Sequence, residues 1–150
     1  MKDSVEALEK IIISYAPLLK QVAEEDFVLK LAPAKWSKKE ILGHLVDSIQ
    51  NNIRRFIVAQ YEEQPHIVYA QDYWVGSAGY QYYDTNDLIA LWILLNRHAC
   101  VILKNMPDEF GKKECLTEAP HSIEWLAEDY NKHLLHHLHQ ILSLEPILYP

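Results

Sequence analysis

Four of the eight histidines in this 150-residue sequence lie within seven positions: His133, His136, His137 and His139. Residues three or four positions apart project from one side of an α-helix, so His133 and His137 can direct two imidazoles to a single point. Imidazoles are common ligands of zinc, nickel and iron, and such sites take at least one more protein ligand. The spacing therefore predicts a site for a divalent transition metal, completed by another helix.

His44 is the candidate for the third ligand. It borders the apolar stripe of a second predicted helix, as His133 and His137 border the stripe of the last one. His139 lies on the far side of the last helix, and His136 points further outward than His133. Two of the remaining histidines lie in or near loops and one has no partner in its helix: His66, His121 and His98. Spacing alone leaves open that His44 is a hydrogen-bonded core residue and that the pair arises by chance.

Other catalytic arrangements do not match the sequence. It contains no H-E-x-x-H motif of zinc proteases, and none of its predicted helices carries the E-x-x-H motif of di-iron bundles. Cys100 and Cys115 have no C-x-x-C spacing, so we expect two reduced thiols, one in a helix and one in a loop. No Ser-His-Asp or Cys-His arrangement can be drawn, so a metal must carry any chemistry that occurs.

Composition and charge narrow the class of protein. A length of 150 residues with 49% hydrophobic content fits one domain, residues 1–150, with a sizeable core. A net charge of −7 argues against nucleic acid as a partner. The N-terminus is charged from its second residue, and no apolar run has the length of a signal peptide core or membrane span. We therefore expect a cytoplasmic protein without a membrane partner.

Apolar residues recur at intervals of three and four, which predicts four long amphipathic helices. The second helix begins with a capping box formed by Ser37 and Glu40, and Pro17 is expected to kink the first. The predicted helices run from Asp3 to Glu25, from Ser37 to Gln60, from Thr85 to Met106, and from Ser122 to just before Pro146.

A long connection, residues 61–83, joins the second and third predicted helices. It contains six of the nine tyrosines and Trp74. Long connections in compact domains are often functional or packed on themselves. Two interpretations stay open: a wall or lid over a pocket, or aromatic packing that extends the core.

Two sequence blocks resemble the DinB/YfiT-like superfamily. The first is WSKKEILGHLVDS, residues 36–48, followed by Asn52 and by Arg55 with Phe56. The second, residues 125–141, carries one histidine followed by a pair of histidines three and four positions later. The order and spacing of the blocks fit over essentially the whole chain. The resemblance implies an all-α four-helix bundle with a long crossover between helices 2 and 3.

The resemblance also implies a metal site and a range of activities. The family's three ligands fall on His44, His133 and His137, where one zinc, nickel, iron or manganese ion would bind. Members of the family include thiol S-transferases that use a low-molecular-weight thiol, together with hydrolase-like and isomerase relatives. We therefore expect a metal-dependent enzyme, a transferase or hydrolase, that acts on a small molecule. The alternative is a bundle that binds metal or an apolar ligand without turnover, as a monomer or a homodimer.

Four polar residues are candidates for supporting the metal ligands. Asp47 and Asp129 lie one turn from His44 and His133 and can fix the orientation of the imidazoles, although solvated carboxylates are the common alternative. Asn52 and Arg55 lie on the His44 side of the second helix. These two residues can pair with such carboxylates or bind a substrate anion. Trp36 and Trp125, near the starts of the two helices, are better interpreted as packing anchors.

Overall fold

The computed structural model describes residues 1–149, and its main body is a bundle of four long helices. These are α1 (Lys2–Leu19), α3 (Lys38–Val58), α5 (Thr85–Asn105) and α6 (Ile123–Leu142). Two short helices, α2 (Glu24–Val28) and α4 (Gln71–Ala78), lie in the connections, and β1 (Glu114–Leu116) pairs antiparallel with β2 (Pro120–Ser122). The expected all-α four-helix bundle with a long crossover between its second and third helices is confirmed.

Side-chain caps fix the starts of the two helices that carry the candidate ligands. The Ser37 hydroxyl accepts a hydrogen bond from the amide of Glu40, and the Glu40 carboxylate accepts one from the amide of Ser37 at 2.7 Å. This is the predicted capping box. At α6 the Ser122 hydroxyl accepts from the amide of Trp125. Because a cap sets where a helix begins, these residues also set which side of each helix the histidines occupy.

The helices are arranged so that α1 and α3 each pack against both α5 and α6. Helices α1 and α3 therefore lie on one diagonal of the bundle, and α5 and α6 lie on the other. The large side chains at the centre are fully buried: Leu8, Leu45, Ile49, Phe56, Trp92, Ile123 and Leu134. This arrangement makes α3 a direct neighbour of α6, so residues of the two predicted ligand helices face each other.

Two details of the predicted secondary structure are wrong. A single helix from Asp3 to Glu25 was expected, but α1 ends at Leu19 and a separate short helix follows. Pro17 has no amide hydrogen to continue the helical ladder, and the helix stops two residues later. Cys115, expected in a loop, lies buried in β1, a three-residue strand too short to produce a recognisable alternation of apolar residues.

The crossover contributes to the core as well as to the surface. Ile67, Val75 and Tyr80 are buried, whereas Tyr61 and Tyr82 are exposed. It also contains α4 and a single 3₁₀ turn at Tyr80–Tyr82. Part of this segment is therefore supplementary core, and its remaining residues are free to line cavities.

The Tyr80 ring packs directly on the backbone of Gly43 in α3. A Cβ atom added at Gly43 would lie 2.1 Å from Cδ2 of that ring. Glycine is therefore required at this position, one residue before His44, for the crossover to sit against the bundle.

The expectation that no apolar segment has the length of a membrane span is wrong for helix α5. By length and composition it could cross a bilayer, with a mean hydropathy of 1.3 over its apolar window. In the bundle it packs between α1 and α3 and buries Leu88, Trp92 and Ala99. Its apolar character is accounted for by this place in the core.

Candidate metal centre

The three predicted ligands converge at the interface between α3 and α6. Each of His44, His133 and His137 offers one ring nitrogen, and these atoms all lie within 4.8 Å of one another. The Nε2 atoms of His44 and His133 are 3.1 Å apart. His44 is only 2% exposed, and the other two rings are half-buried. Three imidazoles from two helices therefore surround one point.

The spacing of the nitrogens fits a first-row transition metal. Bonds of about 2.0–2.1 Å at tetrahedral angles place two ligand nitrogens about 3.3 Å apart, and at right angles about 2.9 Å apart. The Nε2 separation of 3.1 Å between His44 and His133 lies between these values. The His44–His133 pair therefore suits an ion such as zinc in geometry, and the three imidazoles suit it in chemistry.

The environment keeps the imidazoles neutral, which is the form that binds a metal. Burial, and secondarily the neighbouring His137 ring, lowers the pKa of His44 to about 4. Burial is also the main cause that lowers the pKa of His133 to about 2, with the imidazoles around it adding to the effect. Burial lowers the pKa of His137 as well, opposed by its hydrogen bond to Gln140. At neutral pH, protons therefore do not compete for the three rings.

Two polar residues that the sequence analysis did not select hold the ligand rings. The Nδ1 atom of His137 lies 2.8 Å from Oε1 of Gln140, so Nδ1–H donates and Nε2 keeps its lone pair. The Nδ1 atom of His133 lies 3.4 Å from the hydroxyl of Ser48. Gln140 is three positions after His137 and Ser48 is four after His44, so helical spacing was the signal that could have identified them.

The Nδ1 side of the His44 ring is held by packing rather than by a hydrogen bond. The Trp36 ring lies 5.0 Å from the His44 ring, centroid to centroid. The Nδ1 atom of His44 is buried and makes no hydrogen bond within residues 1–149. A metal at Nε2 would leave the proton on Nδ1, where no hydrogen bond fixes the ring. Packing against the Trp36 ring is therefore the contact that restrains the orientation of His44 on this side. Trp36 also lines the larger cavity, so packing against His44 is one of two roles that its position allows.

The other clustered histidines hold the chain after α6. Nδ1 of His136 lies 2.6 Å from the carbonyl oxygen of Ile147, and Nδ1 of His139 lies 2.6 Å from that of Glu145. Nε2 of His139 is also 2.8 Å from the hydroxyl of Tyr15. These contacts fold the C-terminal segment back along α6 and bring Tyr149 to the cavity beside His44 and His133.

The chain matches the model of one known protein family. A profile of the DinB superfamily matches residues 7–141, which is most of the sequence and includes all three converging histidines. The chain belongs to the DinB superfamily. None of the curated protein sequences is significantly similar to it.

Two solved structures share the DinB fold with this chain. YfiT from Bacillus subtilis, a probable metal-dependent hydrolase with an unusual four-helix bundle topology, superposes with a TM-score of 0.84 at 20% identity. That alignment covers 95% of this chain and 83% of YfiT. The mycothiol-dependent maleylpyruvate isomerase superposes with a TM-score of 0.71 at 13% identity, over 99% of this chain and 61% of the isomerase. At these identities the similarity establishes the fold.

Two cavities adjoin the histidine cluster of this DinB protein. The larger, of about 730 Å³, reaches His137 and Gln140 and has Leu29, Trp36 and Ile41 among its apolar walls. The smaller, of about 210 Å³, lies on the side of His44 and His133 and is mostly polar. Gln71 in the crossover lines both. The cluster can therefore be approached from two sides.

Three of the four predicted supporting residues, Asn52, Arg55 and Asp129, line the smaller cavity, and Asp47 is buried outside it; none of the four bonds to a ligand ring. Asp47 accepts a hydrogen bond of 2.6 Å from the Tyr80 hydroxyl, and Asp129 accepts one of 2.7 Å from the Tyr149 hydroxyl. The other two residues bond to each other and to the backbone. Asn52 donates to the Ser48 carbonyl, and Arg55 donates to Asn52 Oδ1 and to the Ile67 carbonyl. These bonds tie the crossover and the C-terminal segment to the walls of the site.

Proposed function

We propose that this DinB protein binds one divalent transition metal through His44, His133 and His137 and catalyses a reaction of a small molecule at that metal. The convergence of three neutral imidazoles on one point carries the proposal. Three protein ligands leave coordination positions for substrate, which is the arrangement of catalytic rather than structural zinc. Zinc, nickel, iron and manganese are all candidates, because three imidazoles discriminate weakly among them.

The proposed reaction is hydrolysis or transfer of a low-molecular-weight thiol. When bound, such an ion supplies Lewis acidity, which lowers the pKa of a water or thiol and polarises an electrophile. The two structural neighbours support these classes, one being a probable metal-dependent hydrolase and the other an enzyme that depends on mycothiol. The chain itself would bind the substrate in the larger cavity, against Trp36 and Ile41 and beside His137.

The surrounding residues then have defined tasks. Gln140 holds His137 by accepting from Nδ1–H, so that the other ring nitrogen faces the ligand position. Burial of His44 and His133 excludes water from the inner side of the cluster and keeps both rings unprotonated. The buried, reduced state of Cys100 and Cys115 agrees with action in the cytoplasm, where we place the protein, as a monomer or a homodimer.

The experiment compares wild type with His137→Ala and with His98→Ala, which removes an exposed histidine far from the cluster. The proteins are purified without affinity tag or chelator, and metal content is measured by plasma mass spectrometry. We expect about one metal per chain in wild type and in His98→Ala, and little in His137→Ala.

Activity is then assayed with ester substrates and with low-molecular-weight thiols paired with electrophiles. Turnover that depends on the metal and is lost in His137→Ala supports the proposal. Turnover that persists in metal-free His137→Ala removes the proposed mechanism. Stoichiometric metal binding without turnover on either panel favours the alternative of a bundle that binds metal without catalysis.

A further inference from the structure

The smaller cavity contains a cationic side chain that lacks an anionic partner. Arg55 of α3 is half-buried and lines this cavity together with His44 and His133. Its Nε and Nη2 atoms donate to the carbonyl oxygen of Ile67 at 3.1 and 3.0 Å, and Nη1 donates to Oδ1 of Asn52 at 3.3 Å. All of these acceptors are neutral. Among residues 1–149, no carboxylate lies within ion-pairing distance of Arg55.

An unpaired guanidinium in such a place is unfavourable. Burial disfavours its charged form and lowers the pKa of Arg55, and Asp129 opposes the shift from beyond ion-pairing distance; an arginine at neutral pH stays cationic. Partly buried charges in proteins are normally compensated by an opposite charge. Nη1 and Nη2 each carry a second hydrogen that these three hydrogen bonds do not use. Two N–H groups on one edge of a guanidinium match the two oxygens of a carboxylate.

The one acidic residue of the cavity is occupied elsewhere. Asp129 lies on α6, and its Oδ2 accepts the hydrogen bond from the Tyr149 hydroxyl rather than from Arg55. The Tyr149 ring in turn packs 5.3 Å from the His133 ring, centroid to centroid. The cation and the acid therefore lie in one cavity without pairing, and the cavity has room for a molecule of a few non-hydrogen atoms.

We propose that this cavity is a binding subsite for the carboxylate group of a small organic acid, held by the two Nη atoms of Arg55 beside the histidine cluster. The subsite deepens the proposed function and rests on it, because the acid group would be the part of the substrate that enters the smaller cavity, while the remainder lies in the larger cavity beside His137. Asn52 supports the subsite by fixing one edge of the guanidinium, and the Ile67 carbonyl fixes the other. The reacting group of the acid would extend towards His44 and His133.

The test observes Arg55 directly in protein freed of metal by chelation and dialysis. The chain has three arginines, Arg54, Arg55 and Arg97, so protein labelled with ¹⁵N-arginine gives three Nε–H signals. Each is assigned by its absence from the matching lysine variant. Because Arg54 is exposed and adjacent in sequence, it is the matched control for non-specific attraction of anions. Sodium acetate is titrated at constant ionic strength, with sodium chloride and sodium phosphate as parallel arms.

We expect the Arg55 signal alone to shift and to saturate at acetate concentrations on the order of tens of millimolar, as befits a four-atom ligand. Arg55→Lys, labelled uniformly with ¹⁵N and followed through its backbone amide signals, should bind acetate about tenfold more weakly than wild type measured in the same way, because lysine loses the paired N–H groups. If Arg55→Lys does not fold, Arg54→Lys and Arg97→Lys assign the signal by elimination and the wild-type titration decides. An unshifted Arg55, a shift equal to that in chloride, or a response to phosphate without one to acetate overturns the carboxylate subsite. Since the protein is free of metal, that failure is distinct from a failure of the metal site.

Discussion

The hydroxyl of Tyr80 donates a hydrogen bond of 2.6 Å to Oδ1 of Asp47, which joins the crossover to α3 one turn after His44. Asp47 is 2% exposed, and its Oδ2 atom makes no hydrogen bond within the described chain, residues 1–149. Burial therefore raises the pKa of Asp47 to about 6, against the opposing effect of the hydrogen bond from Tyr80. The carboxylate form of Asp47 is a destabilising feature of the fold at neutral pH.

Replacing Asp47 with asparagine is expected to stabilise the protein at pH 8. Below pH 3.8, the pKa of this carboxyl in the unfolded chain, Asp47 is mostly protonated in both states and its charge costs no stability. The cost grows as the pH rises towards 6, the pKa in the folded chain, and is complete above it. Asp47→Asn should therefore raise the free energy of unfolding by about 2 kcal/mol at pH 8, and the difference should vanish near pH 4. Urea denaturation from pH 4 to 8 measures this. Asp72→Asn, at an exposed position, controls for loss of charge alone, and a less stable Asp47→Asn at pH 8 would contradict the assignment.

Adding a methyl group at Gly43 is expected to destabilise the folded protein. Its added Cβ would lie 2.1–2.6 Å from atoms of the Tyr80 ring, so the ring or the helix must move. Gly43→Ala should lower the free energy of unfolding by about 1–3 kcal/mol, the usual cost of overpacking. Guanidinium denaturation measures the change.

Gly76 in α4 is the matched control for this substitution. Apart from its chain neighbours and the backbone of its own helix, a Cβ there meets no atom of residues 1–149 within 4 Å. Alanine also has a higher helix propensity than glycine, so Gly76→Ala should be neutral or stabilising by about 0.5–1 kcal/mol. Equal losses at Gly43 and Gly76 would show that contact with the Tyr80 ring is not the cause.

Metal binding is expected to stabilise the folded bundle. Only the folded chain brings His44, His133 and His137 together, so free zinc at 100 times its dissociation constant should add about 2.7 kcal/mol. For a chain of this length that corresponds to a rise in melting temperature of roughly 5–10 °C. Thermal denaturation with and without chelator measures it. The increment should be absent from His133→Ala and present in His121→Ala; a rise of equal size in His133→Ala would place the zinc elsewhere.

Features with local sequence signals were predictable. The capping box of Ser37 and Glu40 depends on residues three positions apart, and the amphipathic period identifies α3, α5 and α6. The end of α1 was missed because apolar residues such as Val22 and Ala23 follow Leu19 at spacings that would continue the helix. The β1–β2 hairpin was missed because three residues per strand contain too few alternations to be recognised.

At the candidate site, residues that share a face of one helix could be predicted from their spacing, whereas contacts between distant segments could not be predicted. The convergence of the three histidines followed from spacing together with the family resemblance. Tyr149 could not be placed against Asp129, because its position depends on the segment after α6 folding back onto the His136 and His139 side chains. Asp47 and Asp129 were selected by proximity in sequence, while tyrosines from the crossover and the C-terminal segment are their actual partners.

Gln140 gives the sharpest test of how the imidazoles are held. Its Oε1 atom accepts from Nδ1–H of His137 at 2.8 Å, and its Nε2 atom lies 3.0 Å from Nε2 of His136. Gln140→Leu removes both contacts but keeps a side chain of similar size in an exposed position. Groups that orient metal-ligating histidines usually contribute 10–100-fold to affinity, so zinc binding should weaken by about tenfold or more.

Gln140→Glu separates the two contacts of this residue. Glutamate still accepts from His137, so zinc affinity should be close to wild type, and the added negative charge should favour it slightly. Gln50→Leu, which removes a side-chain bond to the Val46 carbonyl on α3, is the control for loss of an amide elsewhere. Competition with a chromophoric chelator measures the four affinities. If Gln140→Leu binds zinc as tightly as Gln50→Leu, the bond to His137 does not orient the ring; if Gln140→Glu is as weak as Gln140→Leu, the contact with His136 is the one that matters.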